Sequence, residues 1–187
     1  METFISVDVE TSGRRPGHHD LLALGACRAD RPESGFKRFV KPWTGRFEPE
    51  AMKVNGLDLD WLRANGEPLA DAIRDFHDWV CAESEGGTPV FVGLNAPFDW
   101  GFVSTAFDFV GVANPFHFVP LDIKALYMGA TRCSWDETRS SRMHAKLSPT
   151  LSPDHADPLV DARYQAELFR AILDLPISGT ALTPAAR

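Results

Sequence analysis

Apolar and polar positions along this chain change period several times, and each change marks an element. Residues 1–9 (Met-Glu-Thr-Phe-Ile-Ser-Val-Asp-Val) read as a first strand. Leu21–Arg28 and Gly35–Val40 read as a second and third, separated by the turn-prone Asp30-Arg-Pro-Glu-Ser-Gly35. Three strands with short connections predict an antiparallel meander. Pro49–Val54 predicts a short helix ending at Asn55-Gly56. Pro68–Ala82 sets Leu69, Ala72, Ile73, Phe76, Trp79 and Val80 on one stripe at helical spacing. Pro89–Leu94 is a short unbroken apolar run, as a buried parallel strand requires. A helix should follow over Pro97–Val110, with Phe98, Phe102, Ala106 and Phe109 inward. Phe118–Asp122 predicts one more short strand, and Ile123–Met128 begins a helix.

From Thr131 to Asp154 the periodicity is lost; Ser, Pro, Arg and Lys dominate, and Trp135 is the one large aromatic. This segment reads as an ordered loop or short helix followed by a flexible stretch. Pro158–Leu175 is the last helix, with Ala162, Ala166, Phe169 and Leu173 on one face. Residues 1–176 read as one domain and 177–187 as a flexible tail. The order of elements predicts an α/β fold, a mixed β-sheet whose first three strands are antiparallel and whose later strands are parallel, flanked by helices.

Composition narrows the classes. The chain has 187 residues, enough for one well-buried core. No apolar run approaches the ~20 residues that span a bilayer, and the start does not read as a signal peptide. Cys27, Cys81 and Cys133 are odd in number and widely spaced, which suits reduced thiols in a cytoplasmic protein, two of them in apolar settings. A net charge of −7 argues against coating duplex DNA through a broad basic surface. It leaves room for a nucleic-acid enzyme whose acids hold metal ions.

Asp8 and Glu10 stand two residues apart on the first predicted strand, so both project from one face. Like charges so placed raise each other's pKa unless a cation neutralises them. Asp99 follows the buried strand, in the first turn of its helix, where ligands bind in open α/β sheets. Asp161 lies in the last helix beside the inward face, with His155 in the loop before it. Each of the two later acids also suits a helix start, and a His after a polar loop is usually just exposed. The ordered set is more telling than any member.

Val7-Asp-Val-Glu-Thr-Ser-Gly13, Asn95-Ala-Pro-Phe-Asp99 and His155 with Asp161-Ala162 together resemble the DEDD superfamily of 3′→5′ exonucleases, in the branch with a histidine base (DEDDh). Pro49–Gly56 and Leu121–Lys124 resemble that family's linking segments, and the resemblance runs from about Phe4 to Leu175. It implies a ribonuclease-H-like fold. It also implies that Asp8, Glu10, Asp99 and Asp161 hold two Mg²⁺ or Mn²⁺ ions, hard cations suited to carboxylate oxygens, while His155 takes the attacking water's proton. His155 precedes Asp161 by six positions, where the family usually has five; Ala156 stands at the usual place, and a one-residue bulge near Pro158 would restore the geometry. The branch with Tyr four before the Asp fits worse, because Asp157 stands there.

The resemblance implies a single-stranded or short RNA or DNA substrate, cut from its 3′ end to release nucleoside 5′-monophosphates. Thr11, Ser12, Asn95 and Trp100 are the candidate substrate contacts, with Phe98 assigned to the core. Arg132, Arg139, Arg142, His144 and Lys146 make the long loop basic, fit to guide a strand by its phosphates. A homodimer is an option, although no interface stripe is visible. The alternatives are a non-catalytic nucleic-acid-binding module on the same fold and an endonuclease of the wider ribonuclease-H-like group.

Overall fold

In the computed structural model, which describes residues 1–176, a five-stranded sheet in the order β3-β2-β1-β4-β5 organises the chain. The strands are β1 (Glu2–Thr11), β2 (Leu21–Arg28), β3 (Gly35–Phe39), β4 (Thr88–Gly93) and β5 (Leu121–Asp122). β1, β2 and β3 pair antiparallel, whereas β4 runs parallel to β1 and β5 parallel to β4. Seven α-helices occur among the described residues: α1 (Pro49–Asn55), α2 (Leu59–Asn65), α3 (Leu69–Ser84), α4 (Ala96–Val110), α5 (Ile123–Thr131), α6 (Ser140–Leu147) and α7 (Pro158–Leu173).

Strand alternation splits the core in two. Ile5, Val7 and Val9 join one buried cluster with Ile73 and Phe76 of α3 and Phe102, Val103 and Phe107 of α4. Cys27 and Val92 join Ala162, Ala166 and Phe169 of α7 in the other. The intervening β1 residues Ser6, Asp8 and Glu10 therefore face the α7 side. There the Ser6 hydroxyl donates to the Ala162 carbonyl at 2.8 Å. Gly25, paired with Asp8 across the ladder, makes that approach feasible: a Cβ on it would lie 2.1 Å from the Pro158 carbonyl carbon.

Several expectations need correction. α2 was not anticipated; seven residues are too few to show a period, though Asp58 caps it by accepting from the Asp60 and Trp61 N–H groups. β5 keeps only Leu121–Asp122 of the predicted strand, and Phe118 and Val119 are exposed. α4 is rotated from the predicted face. Asp99, Phe102, Val103, Ala106 and Phe107 point inward, while Phe109 is 71% exposed and stacks on Trp43. Leu173, at the end of α7, is also exposed.

The segment from Thr131 to Asp154, read as an ordered loop or short helix followed by a flexible stretch, holds a short 3-10 helix (Trp135–Thr138) and α6, anchored by buried Met143. Its basic character is largely spent internally. Arg139 and Arg142 pair with Asp136 at 2.6 and 2.8 Å, Lys146 pairs with Glu137 at 2.8 Å, and Arg142 also reaches Glu137. The predicted tail over 177–187 lies outside the described residues.

Candidate active site

β1 delivers the first two acids at the C-terminal end of the central strand. The ladder with β2 shifts register between Glu10 and Thr11, so regular pairing breaks directly after the acid pair. α7 brings the third acid. Its N-terminus is fixed by Asp157, whose carboxylate accepts from the Leu159 and Val160 N–H groups, with Pro158 in the first turn. Asp161 then sits one turn in, buried, and one oxygen from each of Asp8, Glu10 and Asp161 lies within 4.8 Å of the others. Such spacing suits a shared cation.

Asp99 enters from the opposite helical layer. β4 pairs with β1 only as far as Ser6, so beyond it, among the described residues, β1 has no strand partner on that side. Oδ1 of Asp99 accepts the Val9 N–H at 3.1 Å in the place of a ladder partner. Asn95 shapes the entry to α4 with φ of 71°, a left-handed conformation that Asn tolerates better than most residues. The exposed Asn95 side chain makes no capping bond, and its carbonyl accepts the Phe98 N–H at 3.0 Å. Asp122, at the N-cap of α5, adds a fifth negative group whose charge is felt at Asp99.

The electrostatics agree with the geometry. Burial, and then the charges of Asp99, Glu10 and Asp161, push Asp8 well above the usual carboxylate range. Burial followed by Asp161 and Asp99 pushes Glu10 up to about 8. Asp99 also rises to about 8, mainly through burial. Asp161 rises for the same first reason, opposed by the Asp154 N–H and by His155. An all-oxygen set of mutually repelling carboxylates fits a hard divalent cation. Asp8, Glu10 and Asp161 could share such a cation, while Asp99 stands outside that trio with its Oδ1 on the Val9 N–H.

The extra residue before Asp161 is absorbed by a turn. The Asp157 N–H donates to the Asp154 carbonyl at 2.8 Å, leaving His155 and Ala156 at the turn's centre. The Asp154 N–H donates to Oδ1 of Asp161 at 2.7 Å and ties the turn to the acid. Nδ1 of His155 consequently lies 3.6 Å from Oδ2 of Asp161, with the ring largely exposed.

Beside Glu10 opens a cavity of about 570 Å³, with Thr11 and Arg14 on one side, Ala51 and Val54 of α1 on another, and Phe98. Its size suits a nucleotide-sized ligand. Thr11 lines it, although its hydroxyl donates to the Gly13 carbonyl at 2.8 Å. Ser12 sits elsewhere. Its buried hydroxyl donates to the Arg46 carbonyl at 2.6 Å and accepts the Asp20 N–H at 2.8 Å, pinning two loops. Trp100 is also turned away, with its ring 5.3 Å from Phe91 and 6.3 Å from Phe116 in the core. Phe98, expected in the core, is half-buried against it, resting on Phe102, and also lines the cavity.

Two contributors escaped the sequence reading. Asn55 donates from Nδ2 to the Thr11 carbonyl at 3.0 Å, linking α1 to the end of β1. Gln165 is buried one turn after Asp161 and donates from Nε2 to Oδ1 of Asp8 at 2.6 Å. Its i+4 spacing puts it on the same helical face as Asp161 but gives no sign of its distant partner.

The sequence matches the family described as 3'-5' exoribonuclease Rv2179c-like domain over residues 3–173. It is 46% identical over 172 residues to the 3'-5' DNA exonuclease Cap18 of Escherichia coli, covering 91% of each chain. Among solved structures, the fold is similar to the nuclease domain of 3'hExo, a DEDDh family member bound to rAMP. There the TM-score is 0.75 at 15% identity, over 92% of both chains. It is similar too to E. coli exonuclease I in complex with a dT13 oligonucleotide, with TM-score 0.70 at 20% identity, covering 92% of this chain and 41% of that one. The chain therefore belongs to the Rv2179c-like family of 3′→5′ exonucleases, hydrolases, and has the fold of the DEDDh enzymes.

Proposed function

We propose that the protein removes nucleoside 5′-monophosphates from the 3′ end of single-stranded DNA, using two Mg²⁺ or Mn²⁺ ions held by Asp8, Glu10, Asp99 and Asp161, in a cytoplasmic setting. The convergence of Asp8, Glu10 and Asp161 within 4.8 Å carries the metal reading. The 46% identity to a DNA exonuclease over nine-tenths of both chains supports the choice of DNA.

When bound, the ions acidify the attacking water and neutralise charge on the leaving 3′-oxygen. The chain supplies the rest. His155 takes the water's proton, and Asp161, 3.6 Å away, stabilises the imidazolium that forms. The terminal nucleoside enters the cavity beside Glu10, its base against Phe98 and the apolar face of α1. Thr11 borders that space, and Asn95 holds the turn from which Asp99 projects.

Purified protein with 5′-labelled single strands and Mg²⁺ tests the reading. A ladder shortening from the 3′ end on DNA, faster than on RNA of the same sequence and stopped by a blocked 3′ terminus, supports it. Preference for RNA overturns the substrate choice, internal cuts favour an endonuclease, and binding without cleavage favours a non-catalytic module.

A further inference from the structure

Gln165 joins three separate parts of the fold at one buried amide. It lies on α7, only 4% exposed. Its Oε1 accepts the Leu94 N–H at 2.8 Å, in the turn between β4 and α4, and its Nε2 donates to Oδ1 of Asp8 on β1 at 2.6 Å. The amide cannot be turned round. Leu94 N–H is solely a donor, so the carbonyl end must face it, and the NH₂ end is then left for the carboxylate. A carboxylate held by a charge-assisted hydrogen bond keeps one rotamer. Here the bond engages Oδ1 and leaves Oδ2 free to bind a cation.

We infer that Gln165 is a positioning residue that sets the Asp8 carboxylate for metal binding and ties it to the turn that leads into Asp99. This inference rests on the metal-binding reading above. Asp161 and Gln165, four apart on α7, thus present a ligand and a brace from one helical face.

The test is Mn²⁺ binding by the full chain, followed by electron paramagnetic resonance, for the unmodified protein, Gln165→Met and Gln165→Leu. Both substitutions keep an apolar stem of similar length and remove the donor and the acceptor. Mn²⁺ affinity should fall by about 10- to 100-fold, the usual loss for a group that orients a metal ligand. Turnover at limiting Mg²⁺ should drop and recover as Mg²⁺ is raised, while KM for the oligonucleotide stays unchanged. Equal Mn²⁺ affinity in the variants overturns the inference, as does unfolding of both, which would make the amide a support of the fold alone. If the unmodified protein itself binds no Mn²⁺, the metal reading fails first and this inference with it.

Discussion

His155 Nδ1 stands 3.6 Å from Asp161 Oδ2, although six positions separate the two residues. The turn from Asp154 to Asp157 closes the gap, because its first N–H is bound to the same carboxylate. An imidazole so placed can take a proton and share the resulting charge with its neighbour. His155→Ala should lower kcat by about 10²- to 10⁴-fold, the usual worth of a positioned general base, with little change in KM. Steady-state kinetics on a labelled oligonucleotide check this, and near-full activity would remove His155 from the reaction.

The raised carboxylates make the metal-free protein pH-sensitive. Glu10 and Asp99 keep their protons up to about pH 8, whereas the unfolded chain releases them in the ordinary carboxylate range. Over that window the folded state binds more protons than the unfolded state, so stability falls as pH rises. Thermal melts in chelator should therefore show a lower midpoint at pH 8.5 than at pH 6. Mg²⁺ should raise the midpoint most at the higher pH, because the ions neutralise the charges that burial disfavours. A midpoint unchanged by pH and by Mg²⁺ would contradict the electrostatic account.

Trp100 and Phe98 should trade the roles that the sequence suggested for them. Trp100 packs against Phe91 and Phe116, so Trp100→Ala should cost about 3 kcal/mol of stability, read by urea unfolding, and leave the KM of the folded fraction unchanged. Phe98 faces the cavity, so Phe98→Ala should raise KM about tenfold, the loss expected for one base stacked on an aromatic ring. A KM effect from Trp100→Ala alone would reverse the assignment.

Long elements with a clear period were legible in the sequence, and so was the order of the acids. β2 was read to its bounds, and α3, α4 and α7 within a few residues, because burial imposes a period on their side chains. α2 escaped because a seven-residue helix shows little period, and its Asp58 cap needed to be weighed instead. Phe109 was misplaced because α4 is turned, with Val110 beyond it still packed on the core, and Leu173 because Ile172 and Leu175 beside it take the core contacts at the end of α7. At the site, acids could be read as a set because like charges on one face are costly without a cation. Gln165 and Asn55 could not, since a neutral amide gives no such signal until its partners, 157 and 44 residues away, are in place.

Gly25 tests how closely α7 must approach the sheet. A methyl group there would fall 2.1 Å from the Pro158 carbonyl carbon and 2.3 Å from the Leu159 nitrogen, both backbone atoms that have little room to yield. Gly25→Ala should destabilise the protein by at least about 3 kcal/mol and reduce activity by displacing Asp161 from Asp8. Urea midpoints and turnover measured together check this. An unchanged midpoint would mean that α7 rides farther from β2 than described.

The most direct measurement is anomalous diffraction from crystals soaked in Mn²⁺. Two peaks about 4 Å apart, bounded by Asp8, Glu10, Asp99 and Asp161, are the expected result. Peaks placed elsewhere on the molecule, or none at all with the four carboxylates ordered, would contradict the claim that these acids form a catalytic metal centre.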